Sequence, residues 1–187
     1  DEIDAVTYVT AHEVAHQWFG HQLSAAGVQG ATMLIETFAQ YGALSVMADL
    51  YGEEHMRRFL RYELDRYLSG RAAEPLEELP LYRVEDQGYI HYRKGSLVMW
   101  LLRDQIGEAA VNRSIRRMVE TWRYESDPYP RSVDYLEILR DEAGPEYDQL
   151  ITDLFEKITV FDVEVTDATV ASRPGSCGLC SEEQSFR

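Results

Sequence analysis

Two histidines one helical turn apart, with a glutamate beside the first, form the pattern with the clearest chemistry in this chain. The segment reads His12-Glu13-Val14-Ala15-His16. Because an α-helix advances about 100° per residue, His12 and His16 lie on one face and can bind the same metal ion. Glu13 projects from the neighbouring face, where it can act as general base on a water bound to that ion. A third ligand is needed, and Glu36 from the next helix would complete a His2Glu set that leaves one position open for water.

Each of these residues also has an interpretation without catalysis. Valines recur at helical spacing around the histidines, so His12 and His16 are alternatively satisfied core residues of a buried helix. Glu36 would lie near the start of its helix, where a carboxylate favours the positive end of the helix dipole. His21 is a further candidate ligand, but a cation near a helix C-terminus is its more common role. The combination of the histidine pair with Glu36 favours the metal site.

Two stretches of the chain resemble the aminopeptidase N family of gluzincins. His12-Glu13-Val14-Ala15-His16-Gln17-Trp18-Phe19-Gly20 is similar to the zinc-site helix of that family, and Tyr92-Arg93-Lys94-Gly95 is similar to its Tyr-Glu-Lys-Gly motif. In the family, the tyrosine of that motif donates a hydrogen bond to the tetrahedral oxyanion. The resemblance therefore implies one zinc ion bound by His12, His16 and Glu36, with Glu13 as the base and Tyr92 as the transition-state stabiliser.

The chain departs from the family pattern around the third ligand. Nineteen residues, Gln17 to Ile35, separate His16 from Glu36, which is one more than the family spacing, and Ile35-Glu36-Thr37 replaces Asn-Glu-Gly. An extra residue inside the helix would rotate Glu36 by about 100°, so we expect the insertion in the loop between Ser24 and Gly30. Gly30–Leu34 and Phe59–Leu68 also resemble a bacterial branch joined to an ABC-type permease. That resemblance implies a full-length protein linked to the membrane.

Composition limits the classes of partner. The chain has 187 residues, 45% of them hydrophobic, and a net charge of −15. Because phosphate binding needs a basic patch, this charge argues against nucleic acid and against an anionic membrane surface. No run of eighteen apolar residues occurs, which predicts that this chain has no membrane span. The acidic start leads directly into the metal helix, so we expect a piece of a longer catalytic domain. The oligomeric state and the compartment stay open.

The elements that must position these residues are predicted to be mainly α-helical. The resemblance implies the thermolysin-like helical half of a gluzincin catalytic domain, over residues 1–158, followed by a short β segment over residues 159–171. Residues 172–187 are expected to be a disordered tail in which Cys177 and Cys180 are redox-active or unpaired. Hydrophobic periodicity and capping residues predict seven helices, at Ile3–Gly20, Thr32–Tyr51, Glu53–Ser69, Arg93–Ile106, Glu108–Arg123, Ser132–Ala143 and Gly144–Lys157.

The function that these observations favour is zinc-dependent hydrolysis of peptide bonds in a peptide or protein substrate. An aminopeptidase must recognise a free α-amine, which the family achieves with a Gly-x-Met-Glu-Asn motif, and this chain does not contain that motif. Removal of terminal residues is therefore implied by the resemblance alone. The alternative is a non-catalytic metal-binding or regulatory domain of a membrane transporter, favoured by the unusual surroundings of Glu36.

Overall fold

The computed structural model describes residues 3–125 and 127–159, and in this part of the chain helices joined by loops make up the fold, with no β-strand. The mainly α fold class is therefore confirmed. Short π-helical or 3₁₀ turns adjoin several helices, and two of them carry predicted site residues: Met33–Thr37, here called the Glu36 turn, and Tyr89–Lys94, here called the Tyr92 turn. Seven α-helices are present in this part, α1 Ala5–Ala15, α2 Phe38–Tyr51, α3 Met56–Ala73, α4 Gly95–Ile106, α5 Glu108–Trp122, α6 Ser132–Ala143 and α7 Asp148–Ile151.

The metal-pattern helix α1 packs lengthwise against α2. Asp4 caps α1, because its carboxylate accepts a hydrogen bond from the Thr7 amide at 3.1 Å. The buried residues of α1 are Tyr8, His12 and Ala15, which recur every three or four positions and so form one face. Gly42 of α2 lies against Ala15, so the two helix backbones approach closely. This packing holds His12 against the interior of the molecule.

The core lies between α2, α4 and α6, with contributions from the Glu36 turn and the end of the described chain. Its aromatic centre is formed by Phe38, Tyr135 and Phe155, whose rings meet edge to face. Fully buried aliphatic and methionine side chains surround it, among them Met33, Leu34, Leu44, Met47, Met99 and Leu139. The Glu36 turn is thereby anchored in the core by its own apolar residues.

Two predicted boundaries of α1 and α2 are wrong. The first helix ends at Ala15 rather than Gly20, with His16 at its C-cap, because the chain turns back to form a bridge between Phe19 and Leu23. Gly20 takes a positive φ of 108° inside that turn instead of ending the helix. Thr32 does not cap the second helix either, since its hydroxyl donates to the carbonyl oxygens of Val84 and Glu85.

The third helix also differs from its prediction. Gly70 does not end it, because α3 continues to Ala73, and a Cβ at position 70 would overlap the side chain of Tyr89. The apolar side chains of Leu64 and Leu68 are 43% and 51% exposed, whereas the charged side chain of Glu63 is fully buried. The buried face of α3 therefore differs from the face that its apolar residues mark. Glu63 can lie on the buried face because hydrogen-bonding partners inside the molecule compensate the burial of its carboxylate.

The later helices agree better with their predictions. Helix α5 matches within one residue and α6 matches at both ends, although Arg131 and Asp134 form its capping box and Ser132 donates to the Tyr82 carbonyl. The predicted fourth helix begins as the Tyr92 turn and becomes α-helical only at Gly95.

The predicted β segment and the tail with Cys177 and Cys180 lie outside the described residues. In the described part, no helix combines the length and apolar character that crossing a membrane requires.

Candidate metal centre and active site

The three predicted metal ligands converge on one point. The Nε2 atoms of His12 and His16 are 3.1 Å apart, and each lies 3.3 Å from Oε2 of Glu36. They are the one group of three or more histidine, cysteine or acidic side chains in the described residues whose ligand atoms could share an ion. The histidine pair comes from the last turn and C-cap of α1, while Glu36 comes from the turn that precedes α2.

The spacing of these atoms matches a tetrahedral zinc ion. Bonds of about 2.0–2.1 Å in a tetrahedral site separate neighbouring ligand atoms by roughly 3.3–3.4 Å. Oε2 of Glu36 is buried and has no hydrogen-bond partner in the described part of the protein, although two imidazole nitrogens face it. A buried carboxylate oxygen without a donor is costly, and a bound cation removes that cost. The residues present therefore fit a zinc ion.

The second nitrogen of each imidazole differs in its surroundings. Nδ1 of His16 lies 2.9 Å from the Phe19 carbonyl oxygen. When Nδ1–H donates to that carbonyl, Nε2 carries no proton and its lone pair faces the other ligands, which is the tautomer that a metal requires. The tight turn after α1, which the sequence did not predict, supplies this carbonyl. Nδ1 of His12 is buried without a hydrogen-bond partner among the described residues.

Electrostatics at the site suit a carboxylate ligand and a tyrosine donor. Burial by itself raises the pKa of the Glu36 carboxyl, but the neighbouring His12 and His16 outweigh that effect and hold its pKa below the usual value. Burial, with the negative charges of Glu36 and Glu13 nearby, raises the pKa of the Tyr92 hydroxyl to about 12. Tyr92 therefore keeps its proton at neutral pH and is available as a hydrogen-bond donor.

Glu13 and Tyr92 lie beside the ligand triad. The Tyr92 ring is 5.6 Å from the His12 ring, centroid to centroid. Glu13 is solvent-exposed on α1, and its negative charge is close enough to contribute to the raised pKa of Tyr92. The structure therefore brings His12, His16, Glu36 and Tyr92 together, while Glu13 follows His12 on the exposed side of α1. His21 is exposed and is not part of the ligand group.

Two residues near the site were not predicted. Thr37 follows Glu36, and its hydroxyl donates to the His91 carbonyl oxygen at 2.6 Å, which ties the Glu36 turn to the Tyr92 turn. Gly95 permits this approach, since a Cβ there would overlap the Thr37 side chain. His91 is buried, its ring lies 4.4 Å from that of Tyr92, and burial lowers its pKa. The one sign of this contact in the sequence was that Thr37 stands where the family pattern has glycine.

The chain is similar to known zinc peptidases. A model of the Peptidase family M1 domain matches residues 1–156. The chain is 28% identical over 127 residues to human (Homo sapiens) Endoplasmic reticulum aminopeptidase 2, in an alignment that covers 65% of this chain and 13% of that protein.

Solved structures show the same relationship. The crystal structure of an M1 zinc metallopeptidase from Deinococcus radiodurans is similar with a TM-score of 0.60 and 27% identity, covering 79% of this chain and 32% of that one. A mutant of the Deinococcus radiodurans enzyme bound to a Tyr-Ser-Ala substrate gives a TM-score of 0.62 and 28% identity, covering 83% and 34%. The present chain thus spans about a third of the solved relatives and a smaller part of the human protein. These matches indicate zinc as the cofactor.

Proposed function

The chain belongs to peptidase family M1, and we propose that it carries the active site of a zinc-dependent aminopeptidase. In this proposal His12, His16 and Glu36 hold one zinc ion, Glu13 is the general base, and Tyr92 stabilises the transition state. The helical catalytic unit corresponds to residues 1–158, and the β segment from residue 159 begins the next unit. The substrate is a peptide or a protein.

The observation that carries the proposal is the group of possible metal-ligand atoms around Oε2 of Glu36. Two imidazole nitrogens and one carboxylate oxygen lie 3.1–3.3 Å from one another, and the buried oxygen has no hydrogen-bond donor in the described residues. A structural carboxylate would be paired with donors, whereas a metal ligand must keep its lone pair free. Zinc, when bound there, supplies a water of lowered pKa and polarises the scissile carbonyl.

The role of Glu13 follows from its exposure on α1 beside the ligands. A carboxylate on the open side of the site can accept a proton from the attacking water and hold it on one oxygen. It then returns that proton to the amine as the peptide bond breaks, so that one residue acts as base and acid in turn.

The role of Tyr92 follows from its protonated hydroxyl. Its pKa of about 12 means that the hydroxyl keeps its proton at neutral pH and can donate a hydrogen bond. A donor held next to the site stabilises the negative charge that develops on the carbonyl oxygen in the transition state. Because the Tyr92 turn is joined to the Glu36 turn through Thr37, the donor keeps a defined place relative to the ligands.

The decisive experiment uses Glu13→Gln in the full-length protein. We expect zinc content of one ion per chain to be retained, while hydrolysis of an aminoacyl-anilide falls by a hundredfold or more, on the order of losing a general base. Glu54→Gln, which neutralises an equally exposed glutamate outside the site, is the matched control and should hydrolyse like the wild type. Full activity of Glu13→Gln would exclude this residue as the base.

The proposal also specifies an aminopeptidase, which removes residues from the N-terminus of a peptide. It is supported by the similarity to Endoplasmic reticulum aminopeptidase 2. Digestion of a peptide of about ten residues by the full-length protein tests it, because an aminopeptidase produces a ladder that shortens from the N-terminus. Internal cuts, or cleavage of an N-acetylated peptide at equal rate, would instead indicate an endopeptidase of the same family.

A non-catalytic metal-binding domain of a membrane transporter is the second candidate. The longer spacing before Glu36 and the Ile35-Glu36-Thr37 sequence favour it, and the permease-linked resemblance stays a prediction. A wild-type protein that binds zinc tightly and cleaves neither anilides nor peptides would support this candidate over the enzyme.

A further inference from the structure

Glu63 of α3 is a fully buried carboxylate with three hydrogen-bonding partners. Its Oε1 accepts from the Tyr8 hydroxyl at 2.9 Å, from Nε2 of Gln40 at 3.1 Å and from Nη1 of Arg93 at 3.1 Å. Its Oε2 accepts from the same Arg93 nitrogen at 3.2 Å. Gln40 also donates to the Tyr8 hydroxyl oxygen at 2.9 Å, which closes the network. The carboxylate therefore fastens three other elements to α3.

The three partners have a common relation to the active site. Tyr8 precedes His12 by four residues on α1, and Gln40 follows Glu36 by four residues, so each lies about one turn from a proposed zinc ligand. Arg93 is the residue after Tyr92. One buried side chain thus contacts two elements that bear site residues, α1 and the Tyr92 turn, together with α2, which continues directly from the Glu36 turn.

We propose that Glu63 is a positioning residue, which sets α1, the Glu36 turn and the Tyr92 turn in the relative placement that zinc binding and catalysis need. The inference rests on the proposed function, because it gives Glu63 a role in the same reaction. Its physical basis is that a displacement of about 1 Å of a reacting group can lower turnover about a hundredfold. Partners behind metal ligands typically change metal affinity by about ten- to a hundredfold.

A second buried carboxylate shows why Glu63 is distinctive. Glu78 is 6% exposed and accepts hydrogen bonds from Lys94, Arg71 and Tyr67. Of these partners only Lys94 belongs to an element that carries a site residue. Glu78 can therefore stabilise the loop before the Tyr92 turn, but none of these hydrogen bonds joins it to α1 or to the Glu36 turn, which bear the proposed zinc ligands.

The atoms of the Glu63 network predict different effects for two substitutions. Glu63→Gln keeps a carbonyl oxygen that can accept from Tyr8 and Gln40, but it removes the charge that faces Arg93. We expect turnover of the full-length protein to fall about tenfold or more, with KM and the zinc dissociation constant within threefold of the wild type. Tyr8→Phe instead removes the link to α1, and we expect zinc affinity to weaken about tenfold.

Tyr135→Phe is the matched control for Tyr8→Phe. It removes an equally buried hydroxyl, which is hydrogen-bonded to Ser114 and lies outside the Glu63 network. Each variant is measured for thermal unfolding, for the zinc dissociation constant by chelator competition, and for kcat and KM with an aminoacyl-anilide. A role confined to stability would lower the unfolding temperature of both tyrosine variants and leave zinc affinity unchanged in both.

The outcomes separate this inference from the proposed function. Weaker zinc binding in Tyr8→Phe but not in Tyr135→Phe, together with reduced kcat in Glu63→Gln, supports the positioning role. Equal zinc affinity in the two tyrosine variants overturns it, even when the wild type is an active zinc enzyme. A wild type that binds zinc without hydrolysing refutes the reaction, while the affinity comparison still decides the role of Glu63. If Glu63→Gln does not fold, the tyrosine pair gives the answer.

Discussion

Glu36 and Glu63 are two buried carboxylates in neighbouring regions, and they are compensated in opposite ways. Glu63 has no exposed surface and is surrounded by donors from three elements. The Glu36 side chain is 21% exposed, yet its Oε2 is buried, faces two imidazole nitrogens and has no hydrogen-bond partner in the described residues. A carboxylate that serves structure has its oxygens paired with hydrogen-bond donors, whereas one that serves metal binding directs a lone pair at the ion.

The pKa values of Glu36 and Glu63 are shifted in opposite directions. Burial raises the pKa of the Glu63 carboxyl despite the opposing charge of Arg93 and the hydrogen bond from Tyr8. At Glu36 the two histidines outweigh burial, so its pKa is lowered. Depth in the protein alone therefore does not indicate which carboxylate is functional, and the identity of the facing groups does.

The largest expected effect is that of Glu36→Ala on activity. Removing one of three ligands leaves the histidine pair alone, so zinc should be lost on dialysis and anilide hydrolysis should fall by at least a thousandfold, on the order of 4 kcal/mol in the activation barrier. Metal analysis and a kinetic assay of the full-length protein measure both quantities. A variant that keeps zinc and activity would place the third ligand elsewhere.

Tyr92→Phe is expected to have the next largest effect. Loss of one donor to the transition state typically lowers turnover by about a hundredfold to a thousandfold, or about 3–4 kcal/mol. Zinc content should stay unchanged, because the Tyr92 hydroxyl is outside the ligand triad. Tyr89→Phe, a hydroxyl deletion in the same turn, is the control and should leave turnover within a few-fold of wild type.

Stability of the zinc-free protein offers a direct test of the comparison between the two carboxylates. Glu63→Ala leaves Arg93, Tyr8 and Gln40 without their acceptor and should lower the free energy of unfolding by roughly 3 kcal/mol. Glu36→Gln removes the attraction of its partly exposed carboxylate for His12 and His16, and should lower the free energy of unfolding by less, about 1 kcal/mol or below. Denaturant titration in the presence of a chelator measures both values, and equal losses would contradict the division proposed here.

The smallest effect concerns acid stability through Glu78. Burial alone raises the pKa of Glu78, but hydrogen bonds and charge from Lys94, with Arg71 and Tyr67, lower it overall. A carboxyl with a lowered pKa in the folded state stabilises the protein above its unfolded pKa, about 4.3 for glutamate, and this stabilisation is lost as pH falls through the folded value. Glu78→Gln should therefore be less stable than wild type at pH 7, and the gap should narrow below pH 4. A pH-independent gap in denaturant titrations would contradict this.

Predictions from local pattern succeeded where neighbouring residues decide the outcome. The C-terminal ends of α4 and α6 follow from apolar spacing and from Gly107 and Gly144, which take the positive φ values that end helices. The convergence of His12 and His16 is equally local, because helix geometry alone places residues four apart on one face. Predictions failed at Gly20 and Gly70, where tertiary contacts determine the path of the chain.

Spacing along the chain was sufficient to identify a histidine pair, a glutamate beside it, a third carboxylate and a helical scaffold. The role of Glu63 could not be read in the same way, since its periodic position resembles a solvated helix surface. Its partners are 55 and 30 residues away at Tyr8 and Arg93, and 23 away at Gln40. Whether a charge is solvated or enclosed depends on such distant donors, and their arrangement exists only once the helices have packed.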